Sequence, residues 1–369
     1  MGATSNAGAK VRLQSAWAST TQMGMQMGAL IGAPLAGAAA RPAAAVSRNN
    51  FDALRLAAAL LVVYGHQAVD ATGTFGLRLV MFFSISGFLI AGSWNADPHA
   101  GRFLARRFLR IWPAYALLIV VCAAISWLIP APDMPEISRL ASAFYLSNLW
   151  FSGFDWGFFH AGNPFMNQSL WMMRFEVDIY LAFAAVALLG RRWLPWIAAV
   201  VLIAALRAPE THNSAGGLLE CWSLYFAGFF AFGVLMRELP LLRRGAVVAA
   251  CVALGVALLW AHERTAGLLL VIAPAAVWIG ERSWPVLRSA SRFGDLSFGI
   301  FLWAWPVHQV TALWLSARTP LPLQLAVVLV QVVSLAWLSW RFIEAPALRR
   351  KPAKPHAPKR TDFDDLVSA

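Results

Sequence analysis

Ten apolar runs, several of them close to the ~20 residues that a helix needs to cross a bilayer, dominate this chain of 369 residues. They lie at about 54–69, 76–94, 111–129, 175–189, 193–206, 219–236, 245–261, 266–280, 296–316 and 322–342. In lipid, every backbone N–H and C=O must find its partner inside the structure, so runs of this length are expected to be helices. The expected fold class is therefore an all-α integral membrane protein with about ten transmembrane helices. The runs at 193–206 and 266–280 are short and carry proline, which makes them the weakest spans. The aromatic stretch 140–158 is too polar to span comfortably and is expected to be re-entrant or interfacial. Composition agrees: 13% of residues are charged, where a soluble protein carries about 25%.

Ten spans place both termini on one side. With that side cytoplasmic, the inner segments hold 24 of the 30 Lys and Arg residues. The other six are Arg78, Arg139, Arg174, Arg207, Arg264 and Arg318. This is the bias of the positive-inside rule, and it accounts for a net charge of +12 without any nucleic-acid partner. Residues 1–48 read as a flexible basic leader and 49–349 as the membrane domain. Residues 350–369 read as a disordered basic and acidic tail. The chain ends shortly after the tenth run, so no fused extracytoplasmic domain is expected. Cys122, Cys221 and Cys251 fall in apolar runs and make no CxxC or Cys/His pattern. They are expected to be packed thiols, with neither a disulfide framework nor a metal site.

Ionisable residues are costly in a bilayer and mark candidate sites. In LRLAAALLVVYGHQ, Leu54 to Gln67, Arg55 and His66 are 11 residues apart, about three helical turns, and so project from nearly one face. Along the axis they are separated by roughly 16 Å, about half the hydrocarbon thickness. Arg55 then lies at the inner boundary and His66 deeper, towards the outer half. There an imidazole can act as a general base or as an acyl-accepting nucleophile; the plainer alternative is an anchor and a packing histidine. In RFLARRFLRIWPAY, Arg106, Arg107 and Arg110 fall on neighbouring turns and could hold a polyphosphate, or simply anchor the helix. In NQSLWMMRFEVDIYL, Glu176, Tyr180 and Phe183 share a helical face, and Asp178 is placed to pair with Arg174. A carboxylate at Glu176 could orient a histidine or engage a sugar hydroxyl; an outer-interface cap is the alternative. Small residues in SGFLI and GDLSFGIFLWAWPVHQ suit close helix packing, and His308 is expected to face the bilayer interface.

These pieces, in this order, resemble the acyltransferase 3 family of integral membrane enzymes. That family includes O-acetyltransferases of O-antigen, exopolysaccharide and nodulation-factor sugars. The match is carried by RLAAALLVVYGH with Arg55 and His66, FFSISGFLI at 82–90, RRFLRIWPAY at 106–115, SLWMMRFEVDIYL at 169–181, LSFGIFLWAWPV at 296–307 and RFIEAPALR at 341–349. Together these cover about residues 50–350. The resemblance implies an acyl-CoA donor, acetyl-CoA above all, on the cytosolic side of a bacterial inner membrane. It implies an extracytoplasmic or lipid-linked saccharide as acceptor. It suggests His66 and Glu176 as the catalytic pair and Arg55, Arg107 and Arg110 as the donor-binding arginines. Asn167, Trp171 and Tyr180, on the same segment as Glu176, become the expected substrate contacts. Many relatives have histidine where Ala304 stands here, so that position supplies no second base. The competing reading is a transporter or flippase of a polar or anionic substrate, which would move no acyl group from labelled acyl-CoA. Transporters often show repeated halves, and none is evident.

Overall fold

The computed structural model describes residues 49–67, 75–128, 146, 171–207, 218–315 and 318–353. The leader, nearly all of 140–158 and most of the tail lie outside them. Among the described residues there is no strand, and ten helices of 14 residues or more follow the ten apolar runs. They are α1 (Phe51–Gln67), α2 (Phe75–Ala96), α3 (Ala100–Leu128), α4 (Trp171–Leu188), α5 (Leu194–Arg207), α6 (Leu218–Glu238), α7 (Gly245–Trp260), α8 (Arg264–Glu281), α9 (Ser297–Trp314) and α10 (Leu321–Ser339). A π turn, Trp340–Glu344, and a last helical turn, Ala345–Arg349, extend α10.

By length and apolarity, α2, α3, α8 and the extended α10 can each cross a membrane. A fifth crossing results if α4 and α5 count as one unit, and these two are bent against each other by 116°. Two separate spans were expected there. The bend sits at Gly190, whose φ of +114° is open to glycine and strained for any other residue. The helical class is thus as expected, with four or five helices meeting the full requirement for a crossing.

The helices are held by close backbone approach and by aromatic packing. Between α2 and α6 there is no room for side chains at two points. A Cβ on Gly87 would stand 2.0 Å from the Phe230 carbonyl oxygen, and one on Gly233 would stand 2.1 Å from that of Ser84. In lipid, where apolar side chains gain little by leaving their solvent, such contact is the main source of helix association. Around it lie Phe83 and Phe226, stacked at 4.8 Å, with Phe229 and Phe230. The start of α1 is tied to the end of α8 by Asn50, which is fully buried. Its amide donates to the Ile279 carbonyl at 3.0 Å and accepts from the Trp284 N–H at 3.1 Å. Outward-facing Leu188, Trp196 and Val200 are each about two-thirds exposed, as a lipid-facing surface allows.

Candidate active site

Arg55 and His66 stand near opposite ends of α1, and each end is pinned to α9. At the first end, Arg55 Nη1 donates to Asp295 Oδ2 at 2.8 Å. Arg110 Nη2, from α3, donates to the same oxygen. Ser297 Oγ donates to Asp295 Oδ1 at 2.5 Å. Asp295 sits in the turn before α9, which Gly294 makes possible with a φ of +84°. Burial pushes the Asp295 carboxyl up. The charges of Arg110 and Arg55, with the Ser297 hydrogen bond, more than reverse this and hold it well below the usual carboxylate range. Glu344, on the π turn, is buried against this group. Its Oε1 accepts from Ser339 Oγ at 3.0 Å, and its Oε2 has no hydrogen-bond partner among the described residues.

Arg107 stands beside this cluster. It donates from Nη2 to Ser93 Oγ at 3.1 Å and lies over the Phe103 ring, while its buried Nε has no partner among the described residues. Arg106 turns away to Asp97, at 2.6 Å. Asp97, between α2 and α3, is also gripped by Arg102 at 2.5 Å. The hydrogen bonds from Arg102 first, and then from Arg106, keep its carboxyl below the usual range despite burial.

Beyond Arg55, towards His66, lies a cavity of ≈ 50 Å³. Arg55, Ser86, Glu176 and Tyr180 bring polar groups to a wall otherwise made of Phe, Met and Ile. Glu176 accepts a hydrogen bond from the Tyr180 hydroxyl, one helical turn away. Phe82 and Phe301 line the cavity too, each one turn short of the level of Arg78 and Trp305.

The second end of α1 holds another group of side chains. The His66 ring meets Trp305 edge to face, centroids 4.7 Å apart. The neighbouring Gln67 Nε2 lies 2.7 Å from His308 Nδ1. From α2, Arg78 Nη1 donates to the carbonyl oxygens of Leu61 and Val62, at 2.9 and 3.3 Å. Its guanidinium occupies the space that a side chain on Gly65 would need: a Cβ there would lie 1.4 Å from Arg78 Nη1. Hence α1 runs parallel to α9, and its His66 end is gripped from both α2 and α9.

Residues 48–341 match the family model Acyl_transf_3, described as an acyltransferase domain. The chain belongs to the acyltransferase 3 family. It is an integral membrane acyltransferase. It is 28% identical over 357 residues to Nodulation protein 10 of Rhizobium leguminosarum bv. viciae, with 82% of this chain and 94% of the relative covered. It is 27% identical over 345 residues to the peptidoglycan O-acetyltransferase OatA of Listeria monocytogenes, with 80% of this chain covered. There the match spans 55% of the relative, about half its length. An O-acetyl transferase of Shigella phage Sf6 is 24% identical over 342 residues, 83% of this chain and 98% of the relative. No solved structure matches.

The acyltransferase brings the expected site residues into two groups. Arg55 and Arg110 meet on Asp295, and Arg107 is close by. Glu176 and Tyr180 share a cavity with Arg55, whereas His66 is not among its lining residues. The side chain of Trp171 and all of Asn167 lie outside the described residues. Arg174 and Asp178 pair as expected, at 2.8 Å, on an exposed face where such a pair contributes only about 0.3–0.5 kcal/mol. His308, half-buried, is joined to Gln67 of α1 by a hydrogen bond of 2.7 Å. Asp295, Gln67, Arg78, Trp305 and Glu344 were not singled out from sequence. A lone acid before an apolar run and a lone arginine inside one were the available signals for Asp295 and Arg78.

Proposed function

We propose that this membrane O-acyltransferase carries an acetyl group from cytosolic acetyl-CoA to a hydroxyl of an extracytoplasmic or lipid-linked saccharide. In this reading it sits in the bacterial inner membrane with ten crossings and both termini cytoplasmic. One observation carries the reading. A single helix holds Arg55 in a cluster of cations at one end and His66 in a half-buried ring cluster at the other, with a cavity between. The relative named a peptidoglycan O-acetyltransferase supports a saccharide as acceptor.

The donor's phosphates meet Arg55, Arg107 and Arg110. Asp295 offsets part of that charge, and the unpartnered Nε of Arg107 is a donor in reserve. The thin pantetheine arm follows the cavity towards His66. At ≈ 50 Å³ the cavity is narrower than that arm, so flexible wall residues such as Met172 must move aside. Glu176 and Tyr180 face the arm midway. At the far end the acceptor hydroxyl oxygen attacks the thioester carbonyl carbon as the His66 imidazole takes its proton. The C–S bond breaks, the thiolate of CoA recovers the proton from imidazolium, and the products are an ester and free CoA. In the alternative order, a His66 nitrogen attacks the thioester carbon and CoA leaves as the thiol with the ring N–H proton; the hydroxyl oxygen then attacks the acyl carbon, the C–N bond breaks, and the imidazole keeps the hydroxyl proton.

The test is transfer of label from radiolabelled acetyl-CoA in membranes that contain the protein. The wild type labels glycan or lipid-linked sugar. His66→Ala abolishes labelling at equal expression, and Arg110→Ala raises the acetyl-CoA concentration required. A wild type that transfers nothing from acetyl-CoA or longer acyl-CoAs removes the proposal; a fully active His66→Ala removes the mechanism.

A further inference from the structure

The outer end of α1 holds a group of side chains that the donor does not use. Gln67 and His308 are joined at 2.7 Å. Trp305 lies against both imidazoles, at 4.7 Å from the His66 ring and 5.7 Å from that of His308. Trp305 and His308 are half-buried and thus reachable, while Gln67 is nearly covered. From Asp295 to His308 there are 13 residues, roughly 20 Å along α9 at 1.5 Å per residue. This group therefore stands a membrane leaflet or more away from the arginines that suit an anionic donor.

We propose that Trp305, Gln67 and His308 form the saccharide subsite of the enzyme. This rests on the reading of the chain as a saccharide O-acyltransferase and adds which residues receive the acceptor. The chemistry fits a sugar ring. A pyranose presents a C–H face, which packs on an aromatic ring, and hydroxyls that both donate and accept. An amide and a neutral imidazole likewise both donate and accept. In the structure the two are bonded to each other, so each can exchange that bond for a sugar hydroxyl without being left unpaired. Trp305 touches His66, so a ring seated there brings a hydroxyl to the imidazole that must take its proton. Arg78, the cation on the α2 side, is engaged by the α1 carbonyls and shapes the wall.

The experiment uses the full-length protein purified in detergent, acetyl-CoA as donor, and glycan extracted from the source organism's own envelope as acceptor. Two variants are compared with wild type: His308→Phe, which keeps the ring and loses its polar atoms, and His308→Gln, which keeps hydrogen bonding. The expected result is a rise of about tenfold or more in the KM for glycan with His308→Phe, the scale of one or two lost hydrogen bonds. The KM for acetyl-CoA and the rise in Tm on adding CoA stay at wild-type values, and His308→Gln recovers most of the loss. If His308→Phe leaves the KM for glycan unchanged, the subsite is refuted and the acyltransferase reading stands. If the variant also loses the CoA-induced rise in Tm, His308 is structural and the subsite is refuted. If wild type itself transfers no label, the proposed function fails and the subsite with it.

Discussion

Two guanidinium groups on one carboxylate oxygen make a quantitative prediction. Asp295→Asn keeps the shape of the side chain and removes the charge that Arg55 and Arg110 share. Each charge-assisted hydrogen bond is worth about 1.5–3 kcal/mol. The three side chains are 14–23% exposed, and both bonds end on Oδ2, so the total is nearer about 3 kcal/mol than the sum. Arg55→Gln removes one of the two bonds and costs about 1.5 kcal/mol by the same arithmetic. The double variant costs about 3 kcal/mol, because the Arg55 bond is already absent in Asp295→Asn. The cycle therefore has a coupling of about 1.5 kcal/mol. At roughly 2 °C per kcal/mol for a chain of this size, Asp295→Asn lowers Tm by about 6 °C, Arg55→Gln by about 3 °C and the pair by about 6 °C. The assay is thermal loss of the monodisperse peak in detergent, at one fixed heating time because membrane proteins unfold irreversibly. A double variant whose Tm falls by the sum of the two single effects refutes the shared ion pair.

Two further outcomes follow from close contacts elsewhere. Gly87→Ala sets a methyl group 2.0 Å from a backbone oxygen of α6 that cannot turn aside, and lowers stability by about 1–3 kcal/mol, read as Tm in the same assay; an unchanged Tm would show that α2 and α6 are not in backbone contact. Asp97, depressed below its ordinary value by Arg102 and Arg106, stabilises fully above about pH 4 and loses its contribution as the pH falls further. The Tm gap between wild type and Asp97→Asn should therefore be constant from pH 7 to 5 and shrink below 4; a gap already closing at pH 6 contradicts the pairing.

Much of the membrane domain was legible along the chain. The ten apolar runs became ten helices because the need to satisfy backbone groups within lipid acts locally, segment by segment. Arg55 and His66 were expected on one face of one helix, and that followed from helical periodicity alone. So did the Arg174–Asp178 pair and the contact of Glu176 with Tyr180, each four residues apart. The 116° bend between α4 and α5 was missed because length and proline were weighed for each run separately, while the bend is set at Gly190 between them.

The partners of the site residues were another matter. Asp295 is 240 positions from Arg55, and His308 is 241 from Gln67. Nothing in a hydropathy pattern says which apolar helix stands beside which, since lipid solvates every apolar face about equally well. The sequence by itself determined a helical membrane protein, one helix with an arginine and a histidine three turns apart, and motifs that resemble a family of acyltransferases. Only the tertiary structure decided that α9 lies parallel to α1, that Arg110 joins Arg55 on one carboxylate, and that His308 meets Gln67. Those choices depend on where glycine and other small residues let backbones meet, and that complementarity exists only between surfaces in three dimensions.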